Sequence, residues 1–499
     1  MNLLERLGGR KAVTRGIVET FLRLNAAPRP SWHEEAESRL IAEELRRLGL
    51  SPVRDTWHNV RADVPPSPGA ERAPLLILQG HMDMVCACAE GFRPLRDIPA
   101  ARVKDGVLRT DGRSSLGADN NLGNAAVLWL LGCGITHGPL RLLFTVAEEV
   151  GLEGARRMSG TWLEDASLLL NTDGFKLGRA IVGSAGGRRE TYERRLETIP
   201  ALDGVPLRLE LSGASGGHSG DDIHKGRANA LILLGQFLRA LRDALPGLGV
   251  SALAGGQAHN AIPTEAGATV ILPPGGEDIF LTLAENVRAE MECSFRITDP
   301  HLKLTWAPAA PPEEMWTAEC RDGVLALITG LFNGVYAMHP SFPSVVGASA
   351  NLGRVAQEGG RLQACAFLRC AGGEEERRLS AQHDETARKA GFTLVHCAAY
   401  PGWPGRADNP LAHLMDRVFF QETGRGLEVS AVHVGLEPSI FCEKRPGLAV
   451  VSTGPDILDA HSVEERAPLG RLYQYALLLA GTMEEIASGR LSLPDKEER

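Results

Sequence analysis

Seven residues spread over most of the chain have the types that metal-assisted hydrolysis needs: His81, Asp83, Asp119, Glu148, Glu149, Asp173 and His461. His81 and Asp83 stand two apart, so in an extended segment they face the same side, an imidazole beside a carboxylate. His81 can ligate a metal through one ring nitrogen while Asp83 orients the ring. Brought to one place, His81, Asp119, Glu149, Asp173 and His461 supply two imidazoles and three carboxylates. With Asp119 bridging, each of two ions receives a histidine, a share of Asp119 and one further carboxylate. That donor set, free of sulfur, suits two divalent metal ions, zinc first, with manganese or cobalt as substitutes. Three protein ligands per ion leave a position for water, and two ions together lower its pKa and polarise a carbonyl. Glu148, beside ligand Glu149, then takes the proton from the water and passes it to a leaving amine. Taken singly, each residue has a plainer explanation: a strand-end histidine, a helix cap at Asp119, a solvated pair of glutamates. Only the ordered set points to amide hydrolysis.

The elements that must position these residues are short apolar runs bounded by breakers. Residues 75–78 follow the turn-rich 65–69, and 140–146 and 167–170 are similar runs. Such runs read as strands buried on both faces, as in a parallel sheet. Each ends in an acid or a histidine, at the strand end where open α/β sheets place ligands. Helices are expected over 11–26, from a capping box at Ser31-Trp32-His33-Glu34 to Leu48, over 124–133, and over 469–486. A charged tail after the last helix is expected to fray. Past the glycine-rich 183–187 the pattern changes to amphipathic alternation, with a loop at 213–220 feeding a helix over 225–245. The expected fold class is α/β: a mostly parallel sheet flanked by helices, in a metal-binding domain of residues 1–186 and 399–499. Residues 187–398 read as an inserted α/β lid domain.

Composition narrows the partners. The 499 residues carry a net charge of −9 without a long basic run, which argues against nucleic acid. No apolar run reaches the ~18 residues of a membrane span, and no secretory apolar stretch opens the chain. The nine cysteines are scattered, and Cys86 and Cys88 lack zinc-knuckle spacing, so reduced thiols in the cytoplasm are expected.

Longer motifs bring a family into view. They include Pro-Arg-Pro-Ser-Trp-His-Glu-Glu at 28–35, Gly-His-Met-Asp-Met-Val at 80–85, Leu-Gly-Ala-Asp-Asn at 116–120 and Glu-Glu-Val-Gly at 148–151. Asn-Thr-Asp at 171–173, Gly-Gly-His-Ser-Gly-Asp-Asp-Ile-His-Lys-Gly at 216–226, Asn-Ala-Ile-Pro at 260–263 and Tyr-Pro-Gly-Trp at 400–403 complete the set. Nearly end to end, the chain resembles the aminoacyl-histidine dipeptidases (Xaa-His dipeptidase, peptidase D). These are a branch of the dinuclear zinc exopeptidases that also includes carnosinases and aminoacylases. The resemblance implies a zinc-exopeptidase-like fold and the ligand set above, with Asp83 as orienter and Glu148 as base. It also implies a cis peptide bond at Asp119–Asn120. By the same resemblance His218 stabilises the oxyanion, Asn260 and Arg369 hold the substrate's far end, and Glu437 meets its free amino group. His224 and His433 are substrate contacts, outer supports or buried structural residues.

The implied substrate is a small unblocked dipeptide with C-terminal histidine, carnosine included. The rivals are the same chemistry on N-acyl amino acids or other dipeptides, and a catalytically silent binding homologue. A two-metal phosphatase or nuclease lacks a basic phosphate-binding cluster here. Some positions depart from the family pattern. Asn121 replaces a common glycine, which asparagine's tolerance of the left-handed region would accommodate. Pro438-Ser439 follows Glu437, and Ser-Val-Glu-Glu follows His461. The oligomeric state stays open, a homodimer included.

Overall fold

A computed structural model describes residues 1–491; the charged tail expected to fray lies largely outside them. The described chain is mixed α/β and forms two compact units. The first comprises Met1–Ser184, Gly405–Ala431 and the chain from Leu436 onward. The second is Ala185–Pro404 with Val432–Gly435.

The first unit is built on an eight-stranded sheet. Its middle strands, Leu140–Thr145, Leu76–His81, Leu168–Asn171 and Ala449–Ser452, pair in parallel in that order. Antiparallel strands flank them on both sides, Val60–Val64 against Leu140–Thr145 and Arg179–Ser184 against Ala449–Ser452. Every residue of Leu76–His81, Leu140–Thr145 and Leu168–Asn171 is buried, which is why these strands are mostly leucine, isoleucine and phenylalanine, with polar residues chiefly at their ends and Arg141 paired to Asp63. Each buried leucine or valine contributes about 1.5–3 kcal/mol, which offsets the cost of holding charged groups at the strand ends. The helix Ala118–Leu131 packs on the His81 strand, and Arg10–Leu24 and Leu472–Ala487 pack on that helix.

The second unit is built on a nine-stranded sheet whose strands pair antiparallel. Along Val205–Ser212 burial alternates, and Leu207, Leu209 and Leu211 pack with Leu231, Leu234, Leu238 and Leu241 of the helix Ala230–Ala244. That helix starts at Ala230, not near Lys225, because the side chain of its cap, Asn229, accepts from the amides of Leu231 and Ile232. Gly226, just after the short turn Ile223–Lys225, has φ 65°, which breaks the helical path.

The unit limits differ from the 187–398 expected for the insertion. Gly186 pairs with Cys370 and Tyr400 with Gly187, so the second sheet takes in residues beyond both limits. The Ala185 amide donates to the carbonyls of Val432 and Val434, which draws Val432–Gly435 into the second unit and away from the 399–499 block.

Candidate metal centre

The parallel register decides which side chains meet. His81 closes its strand opposite Thr145, and Gln79 lies opposite Asn171, so three strand ends coincide. The loops leaving them carry Glu148, Glu149 and Asp173. Asp119 enters from the start of Ala118–Leu131, where its ψ of 112° is not helical and the Asp119–Asn120 peptide bond is cis. His461 arrives with φ 63° in the loop after Ala449–Ser452.

The Asp119 carboxylate lies between two imidazoles. His81 Nε2 is 3.0 Å from Oδ1, and His461 Nε2 is 3.0 Å from Oδ2 and 3.1 Å from Glu149 Oε1. Three sets of potential ligand atoms fall within 4.8 Å of one another: His81–Asp119–Asp173, Asp119–Glu149–His461 and His81–Glu148–Glu149. The first two share Asp119, and each has one histidine and one further carboxylate.

This donor set fits a pair of divalent ions. Burial first, then the neighbouring carboxylates, pushes Glu148 and Asp173 well above the usual carboxylate range. Burial also opposes ionisation of Asp119, yet His81 and His461 hold its carboxyl well below that range. Four buried carboxylates against two imidazoles leave an excess of negative charge that protons or cations must neutralise. Imidazole nitrogen and carboxylate oxygen are the ligands zinc, manganese and cobalt accept.

Asp83 does more than face the ring. His81 Nδ1 lies 3.1 Å from the Asp83 main-chain carbonyl oxygen and 3.4 Å from Oδ1. The carboxylate accepts from the amides of Glu148 at 3.0 Å and Glu149 at 3.2 Å, and from the Ser31 hydroxyl at 2.7 Å. Asp83 thus also holds the turn that presents Glu148. The capping box expected at Ser31 does not form. Ser31 goes to Asp83, Glu34 accepts from the amides of Trp32 and Ala147, and the helix begins at Glu35. A buried carboxylate in need of donors outweighs a cap worth about 1 kcal/mol.

Around the candidate ligands lies a polar layer that the sequence pattern did not reveal. The Asn124 amide donates to the His81 carbonyl at 2.7 Å, and a Cβ on Gly80 would collide with Asn124, Thr172 and Asn120. Asn121 is not left-handed: it sits in the helix, buried, donating to Glu37 at 2.7 Å and accepting from Asn124. Glu437 is fully buried, its Oε2 accepting from Gln79 at 2.5 Å and Thr145 at 2.8 Å. Burial pushes its carboxyl up to about 7, and Oε1 has no hydrogen-bond partner among the described residues.

Glu37 carries a stability prediction. Burial pushes it up to about 7 despite Arg29 and the Asn121 amide. An unfolded glutamate titrates near ~4.3, so between ~4.3 and 7 the folded state holds the extra proton and stability falls as pH rises. Glu37→Gln is expected to remove a slope on the order of 1–3 kcal/mol over that window. Urea unfolding of chelator-treated protein at pH 5 and pH 8 checks it. An unchanged slope in the variant would refute the assignment.

The remaining candidates belong to the second unit. His218 follows Gly217 in a short strand paired with Ala261–Ile262, and its Nδ1 accepts from the amides of Gly220 and Asp221. Arg369 is buried with Nη2 3.1 Å from His218 Nε2, Nη1 3.5 Å from the Tyr400 hydroxyl, and its guanidinium over Phe367. Among the described residues no carboxylate forms an ion pair with Arg369, and burial disfavours its charge, so this guanidinium is suited to an anion that would offset that cost. Asn260 is tied through its carbonyl to the Ser219 amide at 2.8 Å. His433 is buried with Nε2 2.6 Å from Ser349 Oγ, and burial beside Arg369 pushes it down to about 3. His224 is exposed on the turn Ile223–Lys225.

The chain is similar to known proteins along nearly its whole length. The chain is 30% identical over 472 residues to the cytosol non-specific dipeptidase of Escherichia coli, covering 94% of this chain and 97% of that one. Its structure is similar to that of the aminoacylhistidine dipeptidase from Vibrio alginolyticus, with a TM-score of 0.85 and 28% identity over 94% of this chain and 96% of that one. It shares the fold of the aminopeptidase PepT from Bacillus cereus, with a TM-score of 0.58 and 17% identity over 95% of this chain and 99% of that one. The model of the peptidase family M20/M25/M40 matches residues 77–485, from the His81 strand to the last helix. The chain belongs to peptidase family M20/M25/M40.

Proposed function

We propose that this chain is a cytoplasmic, dinuclear metal-dependent dipeptidase that hydrolyses unblocked dipeptides, Xaa-His dipeptides and carnosine among them. The observation that carries the proposal is the Asp119 carboxylate set between His81 and His461, with one further carboxylate on each side. His81, Asp119 and Asp173 would hold one ion, and Asp119, Glu149 and His461 the other. Two divalent ions, zinc by donor type, would acidify a water and polarise the scissile carbonyl.

The remaining steps belong to side chains. Glu148 accepts the proton of the attacking water and delivers it to the leaving amine. Its burial raises its proton affinity, and the hydrogen bond its backbone N–H donates to Asp83 fixes where it stands. Asp83 holds the His81 ring and the Glu148–Glu149 turn together. Glu437 is assigned the substrate's free amino group by the resemblance; it is fully buried, with Oε1 lacking a hydrogen-bond partner among the described residues. In the second unit, Arg369 is suited to the C-terminal carboxylate, with Asn260 as a second holder of that end and His218 as the donor to the oxyanion. The relative named a non-specific dipeptidase favours a broader reading, in which the terminal side chain matters less than the free ends.

Purified protein loaded with zinc or manganese should be given carnosine, free Xaa-His dipeptides, other free dipeptides and their N-acetylated forms. Cleavage of free but not acetylated dipeptides, fastest with histidine at the C-terminus, is the expected result. Equal rates for all free dipeptides would keep the dipeptidase and discard the histidine preference. Cleavage confined to acetylated substrates would overturn the dipeptidase assignment.

A further inference from the structure

The loop that brings His461 ends in a second acid, Glu465, which none of the steps above uses. Its carboxylate, almost wholly buried, is gripped by four successive amides. Oε2 accepts from Leu116 at 2.8 Å and Gly117 at 2.9 Å, and Oε1 accepts from Ala118 at 2.8 Å and Asp119 at 3.2 Å. These amides open the helix Ala118–Leu131, whose first N–H groups have no partner within the helix and favour a negative charge. On the opposite side of the same turn, Arg29 Nη2 donates to the Gly117 carbonyl at 2.8 Å. Gly117 has φ 69°, and a Cβ there would run into the Arg29 guanidinium and the Met84 sulfur. The turn that carries Asp119 is therefore clamped between a carboxylate and a guanidinium.

The placement of the carboxylate is specific. Glu465 lies four residues after His461, so one rigid loop supplies the imidazole at Asp119 Oδ2 and the clamp on the Asp119 backbone. That loop is itself tied down, with Arg466–Pro468 paired to Val107–Arg109 and Leu458 bridged to Arg466. Moving the clamp would shift Asp119 against both histidines at once.

We propose that Glu465 is a positioning residue for the metal pair, setting the Asp119 carboxylate between His81 and His461 by holding the 116–119 turn. The proposal rests on the metal reading given above. It differs from a plain helix cap in what it predicts: a cap affects folding alone, whereas a positioning residue affects ion affinity in a protein that stays folded. Outer partners that orient ligands are typically worth about 10–100-fold in metal affinity.

The test measures zinc affinity by competition with a chromophoric chelator for wild type, Glu465→Gln and Glu465→Asp, beside the thermal stability of each chelated protein. The visible spectrum of the cobalt-loaded forms gives a second readout. Glu465→Gln is expected to fold, to bind zinc about 10–100-fold more weakly and to change the cobalt spectrum, with Glu465→Asp recovering part of the affinity. Wild-type affinity and an unchanged spectrum in a less stable Glu465→Gln would overturn the proposal and leave a structural cap. If Glu465→Gln does not fold, Glu465→Asp decides: affinity equal to wild type overturns the proposal, and weakened affinity supports it. Wild-type protein that binds no divalent ion would overturn the metal reading itself, and this proposal with it.

Discussion

Glu148→Gln is expected to lower kcat on a cleaved dipeptide by about 10²–10⁴-fold, the contribution of a well-placed general base, with KM little changed. The substitution keeps the shape of the side chain and the backbone N–H hydrogen bond to Asp83, and it removes only the ability to take a proton. Glu148 lies outside the two ligand sets that share Asp119, so the variant should still take up two ions. It should also be no less stable than wild type, because burial and the charges of Glu149 and Asp173 oppose an ionised Glu148. Kinetics, ion stoichiometry and urea unfolding on one preparation separate these effects. A folded, ion-loaded Glu148→Gln enzyme with most of its activity would remove Glu148 from the mechanism.

Asp119→Asn is expected to damage both ion sites in one step. The carboxylate offers Oδ1 toward His81 and Oδ2 toward His461, each at 3.0 Å, and the two histidines keep it ionised despite its burial. An amide nitrogen in place of one oxygen cannot ligate, and loss of the charge weakens the other site as well. Affinity should fall by more than the roughly 100-fold typical of a lost outer partner, and activity should fall with it. Asp173→Asn is the control, since Asp173 belongs to only one of the two sets that share Asp119. Metal analysis after dialysis reads the outcome: fewer ions retained by Asp119→Asn than by Asp173→Asn. Two ions held at wild-type affinity by Asp119→Asn would rule out a bridge.

Much of the site is legible in the sequence because it hangs on fully buried parallel strands. Such strands are written as short apolar runs, and the first polar residue after each run marks the ligand-bearing edge. His81, Glu149 and Asp173 each follow that first polar residue by one or two positions, and the register then brings their strand ends together. Other features mislead for a physical reason. Ser31 and Glu34 have the spacing of a capping box, but Asp83 and the Ala147 amide compete for them from remote parts of the chain. Asn121 looks like a left-handed turn residue, but the helix begins early enough to bury it against Glu37.

Residue types, the strand ends that carry them and the two-part order of the chain are all written in the amino-acid order. These are local properties, set by hydrophobic period and by the chemistry of single side chains. Long-range packing set the rest: the unit limits, the second duty of Asp83, the burial of Glu437 and the grip of Glu465 on four amides about 350 positions earlier. A carboxylate reads alike in sequence whether water or the backbone will satisfy it, and only contacts between distant segments make that choice.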